Sequence, residues 1–138
     1  MKIAFSLLTA ACLCLGCHSD SPGTPDTGNL IGTWQLTEVL FDPGDGSGVF
    51  QPSDAGFEIT LKPDGTFQAN YHVCRVFESG NRESGPYSRI GDQEILITCD
   101  GSFANGIQGR LEEGNLIFYY PCIEPCVYKF RKLSDFTE

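Results

Sequence analysis

Apolar and polar residues alternate along most of this chain in short stretches, with turn-forming residues between them. Phe57, Ile59 and Leu61 alternate with Glu58, Thr60 and Lys62. Pro63-Asp64-Gly65 then reads as a tight turn, and Phe67, Ala69, Tyr71 and Val73 alternate with Gln68, Asn70 and His72. A period of two puts every second side chain on one face of a strand. The same reading gives strands over Thr33 to Phe41 and Pro86 to Ile90, and a stretch with Ile95, Ile97 and Cys99 on one face. Gly106 to Leu111, Leu116 to Tyr120 and Val127 to Leu133 complete the set. No stretch has a competing helical period. About eight short strands joined mostly by tight turns predict an all-β domain, an antiparallel up-and-down barrel that leaves no open edge. A β-sandwich is the alternative, because periodicity does not reveal connection order.

A meander places alternate connections at opposite ends. The turns at Pro63-Asp64-Gly65, Gly91-Asp92 and Glu112 to Asn115 then form one tight end. Asp42 to Gly56, Glu78 to Gly85, Asp100 to Asn105 and Cys122 to Cys126 form a looped end. Cys74, Cys99, Cys122 and Cys126 all fall at or near that looped end.

The N-terminus carries a different pattern. Lys2 is followed by an apolar run from Ile3 to Leu15, broken by Ser6 and Thr9 and closed by Gly16-Cys17. Charge, a short apolar core and a small residue before the cut define a secretory signal peptide over residues 1–16. The run is shorter than the ~20 residues that span a bilayer. Leu13-Cys14-Leu15-Gly16-Cys17 resembles a bacterial lipobox, which implies that Cys17 is the lipid-modified first mature residue. Cys14 stands where that motif usually has Leu. His18 to Asn29 then contains no aliphatic or aromatic residue. Such a segment cannot offset its ordering entropy by burial, so 17–29 reads as an anchored, disordered tether. The barrel domain is expected over 30–134, with a short tail at 135–138. The lipobox resemblance further implies that His18, rather than Asp, after Cys17 directs the chain to the outer membrane of a Gram-negative bacterium.

Sixteen Gly, eight Pro, ten Phe and five Tyr suit strands and turns. Removing residues 1–16 leaves eight Lys and Arg against eighteen Asp and Glu, a mature charge of −10. A surface that acidic repels phosphates, which argues against nucleic acid and against docking on anionic lipid. Cys12 and Cys14 leave with the signal peptide and Cys17 takes the lipid. The remaining four cysteines, in an oxidising envelope, read as two disulfides. Cys122 with Cys126 and Cys74 with Cys99 is the favoured pairing, with Cys74–Cys122 or Cys99–Cys122 as alternatives.

Catalytic chemistry finds little support. Of the two His, His18 lies in the tether and His72 alternates with the apolar set, so it should face solvent. No Ser-His-acid set or metal-ligand spacing is visible, so neither an enzyme, a cofactor nor a metal site is expected. Asp42-Pro43-Gly44-Asp45-Gly46-Ser47-Gly48 offers hard oxygens for a calcium loop, but it lacks the alternation and closing Glu of an EF-hand. A glycine-rich loop is the favoured reading.

Gly32-Thr33-Trp34 at the start of the first strand resembles the lipocalin signature. Together with Asp42 to Gly48, Phe50-Gln51-Pro52, Pro63 to Phe67 and Cys122 to Cys126, it resembles the lipocalin-like domain lipoproteins of Gram-negative bacteria, over Leu30 to Leu133. The resemblance implies a lipocalin-like barrel with Trp34 at its closed end, covered by Arg131 as the basic residue of the last strand. It implies no catalytic residue. The expected function is non-catalytic binding of a small apolar ligand by a monomer, with Phe57, Ile59, Phe67, Tyr71, Ile97, Phe118 and Tyr120 lining the barrel. The alternative is an envelope protein-interaction module with a filled barrel and a contact surface on the 42–56 loop.

Overall fold

The computed structural model describes residues 28–75, 82–101, 103–122 and 126–137. The expected signal peptide, the expected lipidation site Cys17 and most of the expected tether lie outside the described residues. So do parts of the expected loops at 78–85, 100–105 and 122–126.

Among the described residues there is no helix. The strands are β1 Gly32–Phe41, β2 Gln51–Pro52, β3 Glu58–Leu61, β4 Thr66–Ala69, β5 Glu83–Gly91, β6 Glu94–Ile97, β7 Ile107–Glu112, β8 Asn115–Tyr120 and β9 Cys126–Ser134. From β3 to β9 each strand pairs antiparallel with the next, β1 pairs with β3, and β9 returns to pair with β1. The result is a closed eight-stranded barrel plus one extra strand. The β-sandwich alternative is excluded by this closure.

The extra strand was not anticipated. β3 covers β1 only from Gly32 to Gln35, so the second half of β1 has a free edge on that side. Gln51 and Pro52 fill part of it, opposite Val39 and Glu38. Pro52 lacks an N–H, which suits it to such an edge position. β1 is also irregular against β9, with register shifts at Thr33/Trp34 and Leu36/Glu38. Bulges of this kind bend a strand and help a sheet close. The second shift changes the phase of the strand. Trp34 and Leu36 point inward, and beyond the shift it is Val39 that packs on the core.

β4 ends at Ala69 rather than continuing to Val73, and β5 begins at Glu83, earlier than Pro86. Asn70 explains the early end of the β3–β4 ladder. Its side-chain oxygen accepts a hydrogen bond from the Glu58 N–H at 2.7 Å, and its amide donates to the Gly56 carbonyl at 2.9 Å. Past it the chain leaves the sheet, but Tyr71, Val73 and Cys74 remain buried.

The two ends differ as the meander requires. The tight end holds the short connections β3–β4, β5–β6 and β7–β8. At the last, Glu113 and Gly114 have φ of 49° and 77°. Two successive left-handed residues match the strand twist in a two-residue hairpin. The long connections lie at the other end.

Candidate functional site

The closed end is built on three residues. Trp34 is fully buried on β1, and its indole N–H donates to the Leu30 carbonyl at 2.9 Å. Gly32 has a φ of 139°, and a Cβ there would strike the Ser134 carbonyl and lie 2.7 Å from Lys132 Cε. The cation over Trp34 is Lys132, with Nζ 5.4 Å from the ring centre. Arg131, expected in that role, is exposed. The reason is strand alternation: Tyr128, Phe130 and Lys132 are the buried set on β9, and Arg131 falls between them. Lys132 Nζ also donates to the Asn29 carbonyl at 2.7 Å and pairs with Asp135 at 2.7 Å. The base is thereby tied to the chain segment entering β1 and to the one leaving β9.

The residues expected to line the barrel do come together inside it. Ile59, Phe67, Ile97 and Phe118 have at most 1% exposure, Tyr71 2% and Tyr120 5%, and Phe57 packs on them from the side. They touch one another. Phe57 stacks on Tyr71 at 4.7 Å, Phe118 meets Phe130 edge-on at 5.5 Å, and Tyr120 lies 4.8 Å from Tyr128. Phe118 is seated by a missing side chain, since a Cβ on Gly109 would stand 2.6 Å from its Cε1. These rings fill the interior as a packed core fills. One polar feature remains. The Tyr71 and Tyr120 hydroxyls are buried facing each other, with no other partner among the described residues. Burial pushes both pKa values well up, and each hydroxyl also feels the other and Glu83.

The looped end is closed by covalent and local bonds. Cys74 is joined to Cys99 and Cys122 to Cys126, the favoured pairing. Phe103 lies beneath the loop that follows Cys99, 6.1 Å from Tyr120. In the 42–48 loop the Asp42 carboxylate accepts backbone N–H bonds from Gly44 at 2.7 Å, Gly46 at 3.0 Å and Gly48 at 2.9 Å. Those bonds, led by Gly48, hold its pKa below the ordinary carboxylate range. A carboxylate ringed by N–H donors is already satisfied, and the donors repel a cation. The calcium reading of this loop therefore fails on chemistry. Among the described residues no group of three His, Cys, Asp or Glu is gathered as metal ligands. His72 is half-buried rather than solvent-facing, with Nδ1 3.9 Å from Glu83.

Apolar surface appears on the outside instead. Phe41 is 54% exposed, Val49 62%, Phe50 37% and Tyr119 39%. Phe50 folds from the loop onto β9, with Lys129 Nζ 5.2 Å from its ring centre. Between Phe50 and Tyr119 runs a groove of about 440 Å³ on the outer wall, over Leu40, Ile117, Val127 and the Lys129 stem. The sequence reading missed it. The signal is present as apolar residues at Ile117, Tyr119 and Val127, which lie between the inward-facing positions of β8 and β9, whereas Leu40 keeps the parity of Trp34 and Leu36 and turns outward only through the bulge.

A scan against protein-family models finds no match for the chain, and no curated protein is significantly similar to it.

Proposed function

We propose that this protein is a lipid-anchored, non-catalytic interaction module of a bacterial cell envelope, related to the lipocalin-like domain lipoproteins. Residues 1–16 act as the signal peptide, Cys17 carries the lipid, and the polar tether to Asn29 gives the domain reach from the outer membrane. The domain is monomeric and engages another protein, not nucleic acid. The observation that carries the reading is the contrast between inside and outside. The interior is occupied by its own rings, while Phe41, Val49 and Phe50 stand exposed on and beside the 42–56 loop. Large apolar side chains exposed within one short stretch of chain, from Phe41 to Phe50, are the mark of a protein contact on which this reading rests. The tether enters at the closed base, so the looped end points away from the membrane.

The second reading is a small ligand held inside the barrel by its polar group. The buried Tyr71 and Tyr120 hydroxyls favour it, because beyond each other they leave hydrogen-bonding capacity that a ligand's polar group would satisfy. Site-specific photo-crosslinking separates the two. Benzoylphenylalanine in place of Val49, in the intact chain in its own envelope, should give a protein adduct. No adduct there, with a stoichiometric small molecule on the purified protein, would reverse the choice.

A further inference from the structure

We propose that the outer-wall groove takes a segment of the partner protein in which apolar side chains lead into a lysine or arginine. This rests on the interaction reading and adds the place and the chemistry. On an antiparallel barrel with a filled interior, outward positions should be polar. Here one outward row is apolar. Leu40 on β1 pairs with Val127 on β9, which pairs with Tyr119 on β8. The next row toward the base runs Glu38, Lys129, Ile117, Arg110, Glu94 across five strands. Its charges are matched within the row: Lys129 to Glu38 at 3.0 Å and Arg110 to Glu94 at 2.9 Å. That leaves Ile117 among paired charges, and it is 6% exposed although it faces outward.

Two aromatic side chains wall this floor. Phe50 is held over Lys129. Tyr119 is pinned by its hydroxyl, which donates to Glu112 at 2.9 Å. Both walls are fixed before anything binds, so little ordering cost is left to binding. Toward the base the groove ends on Glu112 and Glu113. Glu112 shares Arg110 at 3.5 Å, and Glu113 stands exposed on the hairpin turn. The groove is thus mainly apolar, with Lys129, already paired to Glu38, and Asn115 in its lining, and acidic at its end.

The possible occupants are narrowed by the same features. The chain's own tether offers no apolar side chain between His18 and Asn29. A second copy would bring a mature charge of −10 against a like charge. An anionic membrane is repelled for the same reason. An apolar segment ending in a basic residue complements both the floor and the acids.

The test places benzoylphenylalanine at Tyr119 in the intact chain in its own envelope, with Phe50 as a second position and Gln68 on the far wall as the control. The cross-linked peptide is sequenced by mass spectrometry. An adduct from position 119 or 50 whose peptide holds apolar residues beside a Lys or Arg is the expected result, with none from 68. Glu113→Lys should lower its yield about fivefold, the scale of one exposed ion pair. An adduct with a second copy, with lipid or with an acidic peptide overturns the proposal, as does no adduct at 119 and 50. If Val49 still cross-links to a protein while 119 and 50 do not, the groove is wrong and the interaction reading stands. If no position cross-links, both fall.

Discussion

Replacing Lys132 should damage the domain far more than replacing Arg131. Lys132 is a buried cation whose ammonium meets the Asn29 carbonyl, Asp135 and the Trp34 ring at once. A hydrogen bond from a charged group contributes roughly 1.5–3 kcal/mol. A desolvated cation over an indole adds up to about 2 kcal/mol. The Asp135 pair adds little, because Asp135 is 46% exposed and is screened by water. Against these stands the cost of burying the ammonium, which cancels part of the gain. The net loss for Lys132→Met, which keeps the aliphatic stem, is about 2–3 kcal/mol. For a domain of this size that is a fall in melting temperature of about 10–20 °C. Arg131→Ala, at an exposed position, should stay within about 0.5 kcal/mol. Thermal melts of the two variants beside the parent chain decide it. A loss at Arg131 equal to or greater than that at Lys132 would refute the assignment of Lys132 as the residue that locks the base.

Three further outcomes follow from the same structure. Breaking Cys74–Cys99, which closes a separation of 25, should cost about 3.5 kcal/mol, against about 2 kcal/mol for Cys122–Cys126 with its separation of 4; melts of the two double Cys→Ala variants that rank the other way would contradict this. Changing Tyr71 and Tyr120 together to Phe removes two buried hydroxyls whose one partner among the described residues is each other, so the double variant should be neutral or stabilising. A loss above about 1 kcal/mol would show that something satisfies them. The Asp42 carboxyl, with its pKa lowered in the folded state, contributes stability that is present above its unfolded pKa of about 3.9 and is lost as pH falls through the lowered folded value. The Gly44, Gly46 and Gly48 amide resonances should therefore hold at neutral pH and move only in acid. Asp42→Asn should abolish that movement, and a shift near neutrality would be inconsistent with the loop as described.

Much of the barrel was legible in the chain because alternation is a local signal. Phe57 to Leu61 and Phe67 to Ala69 each show which residues share a face before any partner is known, whereas Leu116 to Tyr120 is apolar throughout and shows only that a strand is there. The turn residues then set the connection lengths, and the ends of the meander followed. β2 was not legible, since two residues carry no period and their pairing depends on how far β3 happens to run along β1. The early end of β4 was hidden for a related reason: Tyr71 and Val73 keep an alternating pattern while the Asn70 side chain replaces the ladder. At the closed end the residue type misled. The lipocalin resemblance asks only for a basic residue near the last strand, which Arg131 supplies, although counting by two from Phe130 leads to Lys132. The groove was hidden by the opposite bias, because apolar residues are assigned to the inside by default. Leu40 changes face through the bulge after Leu36, which no local pattern discloses.

The account turns on whether the barrel is filled by its own side chains and works from the outside. Native mass spectrometry of the intact protein, purified from the cells that make it, tests this most directly. The expected result is the mass of the mature chain with no small molecule in stoichiometric amount. A small molecule released on activation, and absent from a variant with Tyr71 and Tyr120 both changed to Phe, would contradict it and place the function inside the barrel.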